Sequence, residues 1–99
     1  MLNITKTIED GKAVFSLEGR LDTVTAPDFE RELGGSYEGT RELTIDFGGL
    51  DYISSAGLRV LLVAQKTMNR QGEMKITGVN DTIMEIFEVT GFSDFLTIE

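Results

Sequence analysis

The stretch Asp46-Phe47-Gly48-Gly49-Leu50-Asp51-Tyr52-Ile53-Ser54-Ser55-Ala56-Gly57-Leu58-Arg59-Val60-Leu61-Leu62 decides how the chain is read. Just ahead of and into it, Leu43, Ile45 and Phe47 alternate with Thr44 and Asp46. That period of two predicts a half-buried strand over Glu42–Phe47. Gly48-Gly49 predicts its end. Two serines follow, then a run from Ser55 to Arg70 of helical composition, closing near Gly72. A strand, a glycine-rich turn and a serine-headed helix make the first part of a parallel crossover.

Outward from this segment the same signals repeat. Leu2, Ile4 and Ile8 interleave with polar residues, and Ala13–Leu17 forms a second apolar run. Asp10-Gly11 between them is a strong hairpin turn signal, so strands at 2–9 and 12–18 are expected to pair antiparallel, the second stopping at Gly19. Thr25, Pro27 and Asp28 resemble a capping box at a helix start, with Ala26, Phe29 and Leu33 as its stripe and Gly34-Gly35 as its stop. Residues 36–41 read as a polar loop. Glu73–Thr77 reads as another strand, and Asn80 or Asp81 caps a third helix running to about Val89. Gly91-Phe92-Ser93 breaks the chain again, and Phe95–Ile98 is a last short strand or an extended tail. The order ββαβαβα predicts a single α/β domain over residues 1–99: a small mixed sheet of four or five strands with helices packed against it.

Composition excludes whole classes of chemistry. Among 99 residues there is no His, Cys or Trp. That removes imidazole bases, cysteine nucleophiles, a Ser-His-Asp triad, ordinary zinc sites and disulfides. Nine Lys and Arg against 17 Asp and Glu give a net charge of −8. Such a chain is repelled by nucleic acid and anionic lipid, which points to a protein partner with a basic or neutral face. The first residues lack a basic segment followed by an apolar one, and the longest apolar run is Val60–Ala64. Neither a signal peptide nor a membrane span is expected, and the reading is cytoplasmic, with no cofactor and no metal.

The segment that carries chemistry is Ser54-Ser55-Ala56-Gly57. One reading is structural: a serine caps the helix and Gly57 permits close helix–sheet packing. The other is functional: small residues at a helix start leave N–H groups and the positive dipole end open to an anion, so a serine phosphate there is partly compensated. The segment is not a P-loop, since no Gly-Lys-Ser/Thr follows the glycine pair. Nor is it a nucleophile elbow, since no Gly stands two before either serine. Leu58, Val60, Leu61, Leu62, Val63 and Ala64 cover nearly every azimuth of the following half-helix, more than one sheet face needs. The excess meets neighbouring helices or a partner. Gln65, Lys66, Asn69 and Arg70 read as an ordinary solvated face, as do Asp81, Glu85, Glu88 and Asp94. Asp22 and Asp46 sit at strand ends; capping or solvated acids fit them better than a metal pair. Met68, Met74 and Met84 read as core filler.

With these residues in view, the chain resembles the STAS domain family, and within it the stand-alone bacterial anti-sigma factor antagonists. The resemblance rests on Gly19-x-Leu21-Asp22 followed by Thr25-Ala26, the strand ending at Asp46, Leu50-x-Tyr52-Ile53-Ser54-Ser55-Ala56-Gly57-Leu58, and Gly91-Phe92. It implies a partner switch. The unphosphorylated antagonist binds an anti-sigma factor that is also a serine kinase of the histidine-kinase-like ATPase superfamily, and a sigma factor is released. The kinase then phosphorylates the antagonist, and a PP2C-type phosphatase reverses the step. Mapped by motif, the resemblance implies Ser55 as acceptor, with Ser54 the alternative, and a docking surface of Asp22, Thr23, Ser54, Ser55, Gly57 and Leu58. Many members carry Asp where this chain has Ser54. Some relatives are instead small-molecule or anion-binding modules without phosphorylation, and the same helix start would serve as their cradle. The chain is expected to be a monomer or, through an exposed edge strand, a weak dimer.

Overall fold

The computed structural model describes all 99 residues. Its elements are β1 (Leu2–Glu9), β2 (Lys12–Leu21), α1 (Ala26–Gly34), β3 (Glu42–Ile53), α2 (Ser55–Gln71), β4 (Glu73–Thr77), α3 (Asp81–Thr90) and α4 (Phe92–Phe95). The four strands form one mixed sheet in the order β1-β2-β3-β4. β1 and β2 pair antiparallel from Leu2↔Gly19 to Glu9↔Lys12, across a turn in which Asp10 (φ 50°) and Gly11 (φ 80°) are both left-handed. Those angles make it the type I′ turn that the Asp-Gly pair favours. β2–β3 and β3–β4 are parallel. Because each parallel strand is laid beside the last in the same direction, right-handed crossovers place the helices on one face.

The alternation along the strands therefore separates a covered face from a bare one. Ala13, Phe15 and Leu17 of β2, Leu43, Ile45 and Phe47 of β3, and Met74 and Ile76 of β4 are buried under the helices. The bare face carries polar rows such as Thr5–Ser16–Asp46–Thr77, in register across all four strands. Phe29 of α1 meets Phe15 edge-on at 6.2 Å between ring centres, and Phe87 of α3 meets Phe47 at 6.1 Å. Met68 and Met74 are buried, and Met84 packs against the core, as the sequence led one to expect.

Two strands outrun their expected ends. β2 continues through Gly19 to Leu21, and β3 continues through Gly48-Gly49 to Ile53. The glycines mark register shifts rather than stops, since the β2–β3 pairing slips between Ser16 and Glu18 and again between Gly19 and Arg20. A Cβ at Gly49 would lie 2.7 Å from Glu18 Cγ, so the strands can approach there only because the side chain is missing. The expected capping box at Thr25 is also absent: Thr25 makes no side-chain cap bond, and Asp28 pairs instead with Arg31 at 2.7 Å. At the other end, Phe92–Phe95 is a short helix, and only Ile98 reaches the sheet, in a parallel bridge to Ile76. No helix is long and apolar enough to cross a membrane.

Phe47 links β3 to α3 from a fully buried position. Phe47→Ala is expected to lower the free energy of unfolding by about 3–5 kcal/mol. Val89→Ala, on a side chain 78 % exposed, should change it by no more than about 0.5 kcal/mol. Urea unfolding of the two variants checks both.

Candidate functional site

β2 and β3 end side by side, with Leu21 paired to Ile53. The chain leaves β3 through Ser54, whose N–H donates to Leu21 O at 2.9 Å, and turns at once into α2. The last residues of β2, the turn before α1 and the first turn of α2 are thereby gathered at one end of the sheet.

Asp22 organises the first of these. Its Oδ1 accepts from the N–H groups of Val24 and Thr25, both at 3.0 Å. The Thr25 hydroxyl accepts from Asp22 N–H at 2.9 Å and donates to Arg20 O at 2.8 Å. Thr25 thus looks back to the strand end rather than forward into its helix, which is why the capping reading failed. The Thr25 N–H holds the Asp22 carboxyl below its ordinary value of 3.8, burial opposes this, and the Thr25 hydroxyl, Val24 N–H and the Met1 ammonium add to the lowering. The turn leaves Thr23 exposed and Val24 83 % exposed. Arg20 flanks it, with Nε 3.7 Å from Asp22 Oδ2 and its guanidinium 4.3 Å over the ring of Tyr52.

The two serines occupy different positions. Ser54 is the N-cap of α2, half-buried in extended backbone, with its Oγ accepting from Gly57 N–H at a long 3.5 Å. Ser55 is the first residue of the helix and is exposed. Ala56 packs partly against the core, while Gly57 and Leu58 are buried. Those two shape the surface from beneath and present nothing to a partner. A Cβ on Gly57 would lie 2.8 Å from both Ile53 Cγ1 and Leu21 Cγ, so the glycine fixes how deeply the helix start sits on the strand ends.

Between α1 and α2 lies a shallow depression of about 440 Å³, lined by Thr23, Pro27 and Glu30 on one side and Ser55, Ala56 and Arg59 on the other. The structure thus brings Asp22, Thr23, Ser54 and Ser55 together, as the motifs suggested. It adds Arg20, Val24 and Arg59, to which the sequence reading gave no role, and Tyr52, which stood in the motif without a role. Arg59, four residues after Ser55, had the clearest signal in its helical spacing. Asp46 lies elsewhere, on the bare sheet face, where its Oδ1 accepts from Gly48 N–H at 2.8 Å. No group of three or more acidic side chains is placed to hold a metal ion.

Two outcomes follow from this geometry. Gly57→Ala gains about 1 kcal/mol of helix propensity but forces a methyl onto Leu21 and Ile53. The expected net result is a loss of about 1–3 kcal/mol, read by urea unfolding. The depressed Asp22 pKa contributes stability that is complete above its unfolded value and is lost as the pH falls through its folded value. Asp22→Asn should therefore flatten the loss of thermal stability between about pH 5 and about pH 2, measured by circular dichroism melts.

The comparisons with known proteins agree with this architecture. The family model described as the STAS domain matches residues 3–99. An anti-sigma factor antagonist of Bordetella bronchiseptica, BtrV, is 39% identical over 93 residues, covering 92% of this chain and 80% of its own. The anti-sigma-B factor antagonist of Staphylococcus aureus is 32% identical over 99 residues, covering 98% of this chain and 92% of its own. The crystal structure of an anti-sigma factor antagonist from Mycobacterium paratuberculosis superposes with a TM-score of 0.89 at 21% identity, covering 99% of this chain and 85% of that one. A fold of this topology, matched by a family model along almost its whole length, makes the chain a member of the STAS domain family.

Proposed function

We propose that this chain is an anti-sigma factor antagonist whose binding is switched by a phosphate on Ser55. The relatives named above carry the first part of that reading. The division of labour between the serines carries the second. The Ser54 hydroxyl faces the Gly57 N–H, whereas Ser55 is exposed at the first helical position beside the Asp22 turn. A kinase must take the acceptor hydroxyl into its own active site, and Ser55 is the one that is free to go.

The mechanism is electrostatic and steric. Unphosphorylated, the surface around Thr23, Val24 and Ser55 docks on an anti-sigma factor that is also a serine kinase, and a sigma factor is released. Phosphorylation adds about −1.5 to −2 charge at the centre of that surface. The dipole at the start of α2 and its unpaired N–H groups tolerate the phosphate, so the helix stays folded. Docking would strip water from a dianion, which costs several kcal/mol and shifts occupancy by orders of magnitude. A PP2C-type phosphatase restores binding. ATP, the kinase and the sigma factor all reside in the cytoplasm, so the switch operates there. The chain is the substrate of these enzymes and a regulator of transcription rather than a catalyst.

Incubation with the cognate kinase and ATP, followed by intact mass, tests this reading. The wild type and Ser54→Ala should each gain one phosphate, and Ser55→Ala none. Equal labelling of Ser55→Ala would refute the assignment. Ser55→Asp should weaken kinase binding by at least about tenfold in calorimetry.

A further inference from the structure

α2 holds no acidic residue from Ser55 to Gln71, yet it carries Arg59, Lys66 and Arg70. The remaining six cations and all seventeen acids lie elsewhere in the chain. All three α2 cations are exposed. Spacings of seven and four residues bring them onto one stripe of a 3.6-residue helix. This face is basic in an otherwise acidic molecule, and Ser55 heads the same stripe. Arg59 is one turn further on, and helical side chains lean back toward the N-terminus, which directs it toward Ser55. The two line one depression, in which Arg59 is the one cation. Arg59 belongs to none of the ion pairs in the structure. Glu30, which faces it from α1, does not come within 4.0 Å of it, and Asp22 in the neighbouring turn is engaged by backbone N–H groups and Arg20.

We propose that Arg59 is the intramolecular counter-ion of a phosphate on Ser55, so that phosphorylation withdraws a free cation from the docking surface as it adds a dianion. This rests on the reading of Ser55 as acceptor. Before modification the guanidinium is available to an acidic group on the partner. Afterwards its fork of donors is taken up by phosphate oxygens. An anion four residues N-terminal to a cation is the favourable orientation on a helix. The depression, in which the charges of Arg59 and Glu30 balance before modification, becomes net negative, although the chain as a whole changes little from −8. The partner that fits such a switch presents an acidic patch to the start of α2, which the net charge of the chain alone did not suggest.

The test uses the full chain with phosphoserine incorporated at position 55 during translation, so that no kinase is needed. The ³¹P resonance is titrated from about pH 4 to about pH 8 in the wild type, Arg59→Gln and Arg59→Lys. The second phosphate pKa should lie below the ordinary value of about 6 in the wild type and rise by roughly half a unit in Arg59→Gln. Arg59→Lys should fall between them, and the difference should shrink in about 1 M salt. Superimposable titrations of the wild type and Arg59→Gln would overturn the proposal. Because the phosphate is installed during translation, that failure is separate from a failure of Ser55 as the kinase's acceptor, which intact mass reports.

Discussion

At Gly57 the first turn of α2 rests directly on the ends of two strands. A Cβ at that position would meet Ile53 and Leu21 at 2.8 Å, so the helix can lie this close only without one. Leu21 and Ile53 are themselves neighbours in the β2–β3 ladder, and Ser54 N–H is bonded to Leu21 O. One close approach thus sets the depth of α2, the exposure of Ser55 and its position beside the Asp22 turn. The sheet supplies a rigid base, since Phe15, Ile45 and Phe47 are fully buried beneath the helices. A surface built this way is preorganised: its backbone N–H groups and dipole are in place before any partner or phosphate arrives.

The turn before α1 is held with similar economy. The side chains of Asp22 and Thr25 each accept from the other's backbone N–H and the Thr25 hydroxyl donates to Arg20 O, which leaves the tip, Thr23 and Val24, facing outward. In the proposed switch, an apolar side chain so exposed next to the Ser55 hydroxyl gives a partner something to bury beside something it can sense. The far side of the sheet differs: it carries rows such as Thr5–Ser16–Asp46–Thr77, polar on every strand.

Much of this was legible from local pattern. Alternation located the strands, Asp10-Gly11 located the hairpin, and serine followed by Ala56-Gly57 marked the candidate site, because each signal acts within a few residues. The extensions of β2 and β3 were not legible. A glycine reads equally as a stop or as a bulge, and only the partner strand decides, as Glu18 does for Gly49. Thr25 stood at the start of a helix with every sign of a cap, but its hydroxyl found the strand end behind it. The basic stripe of α2 was present in the spacing of Arg59, Lys66 and Arg70, yet a strongly negative total concealed it. Charge summed over a chain says little about the face a partner meets.

In the proposed function one surface, made by the Asp22 turn and the start of α2, does the docking. Amide chemical-shift mapping of the ¹⁵N-labelled, unphosphorylated chain titrated with its purified anti-sigma factor is the decisive experiment. The largest changes are expected on Asp22–Thr25 and Ser54–Arg59, while Glu42–Thr44 and Glu73–Lys75 at the opposite end stay in place. Changes concentrated on the bare sheet face or at that opposite end would contradict it.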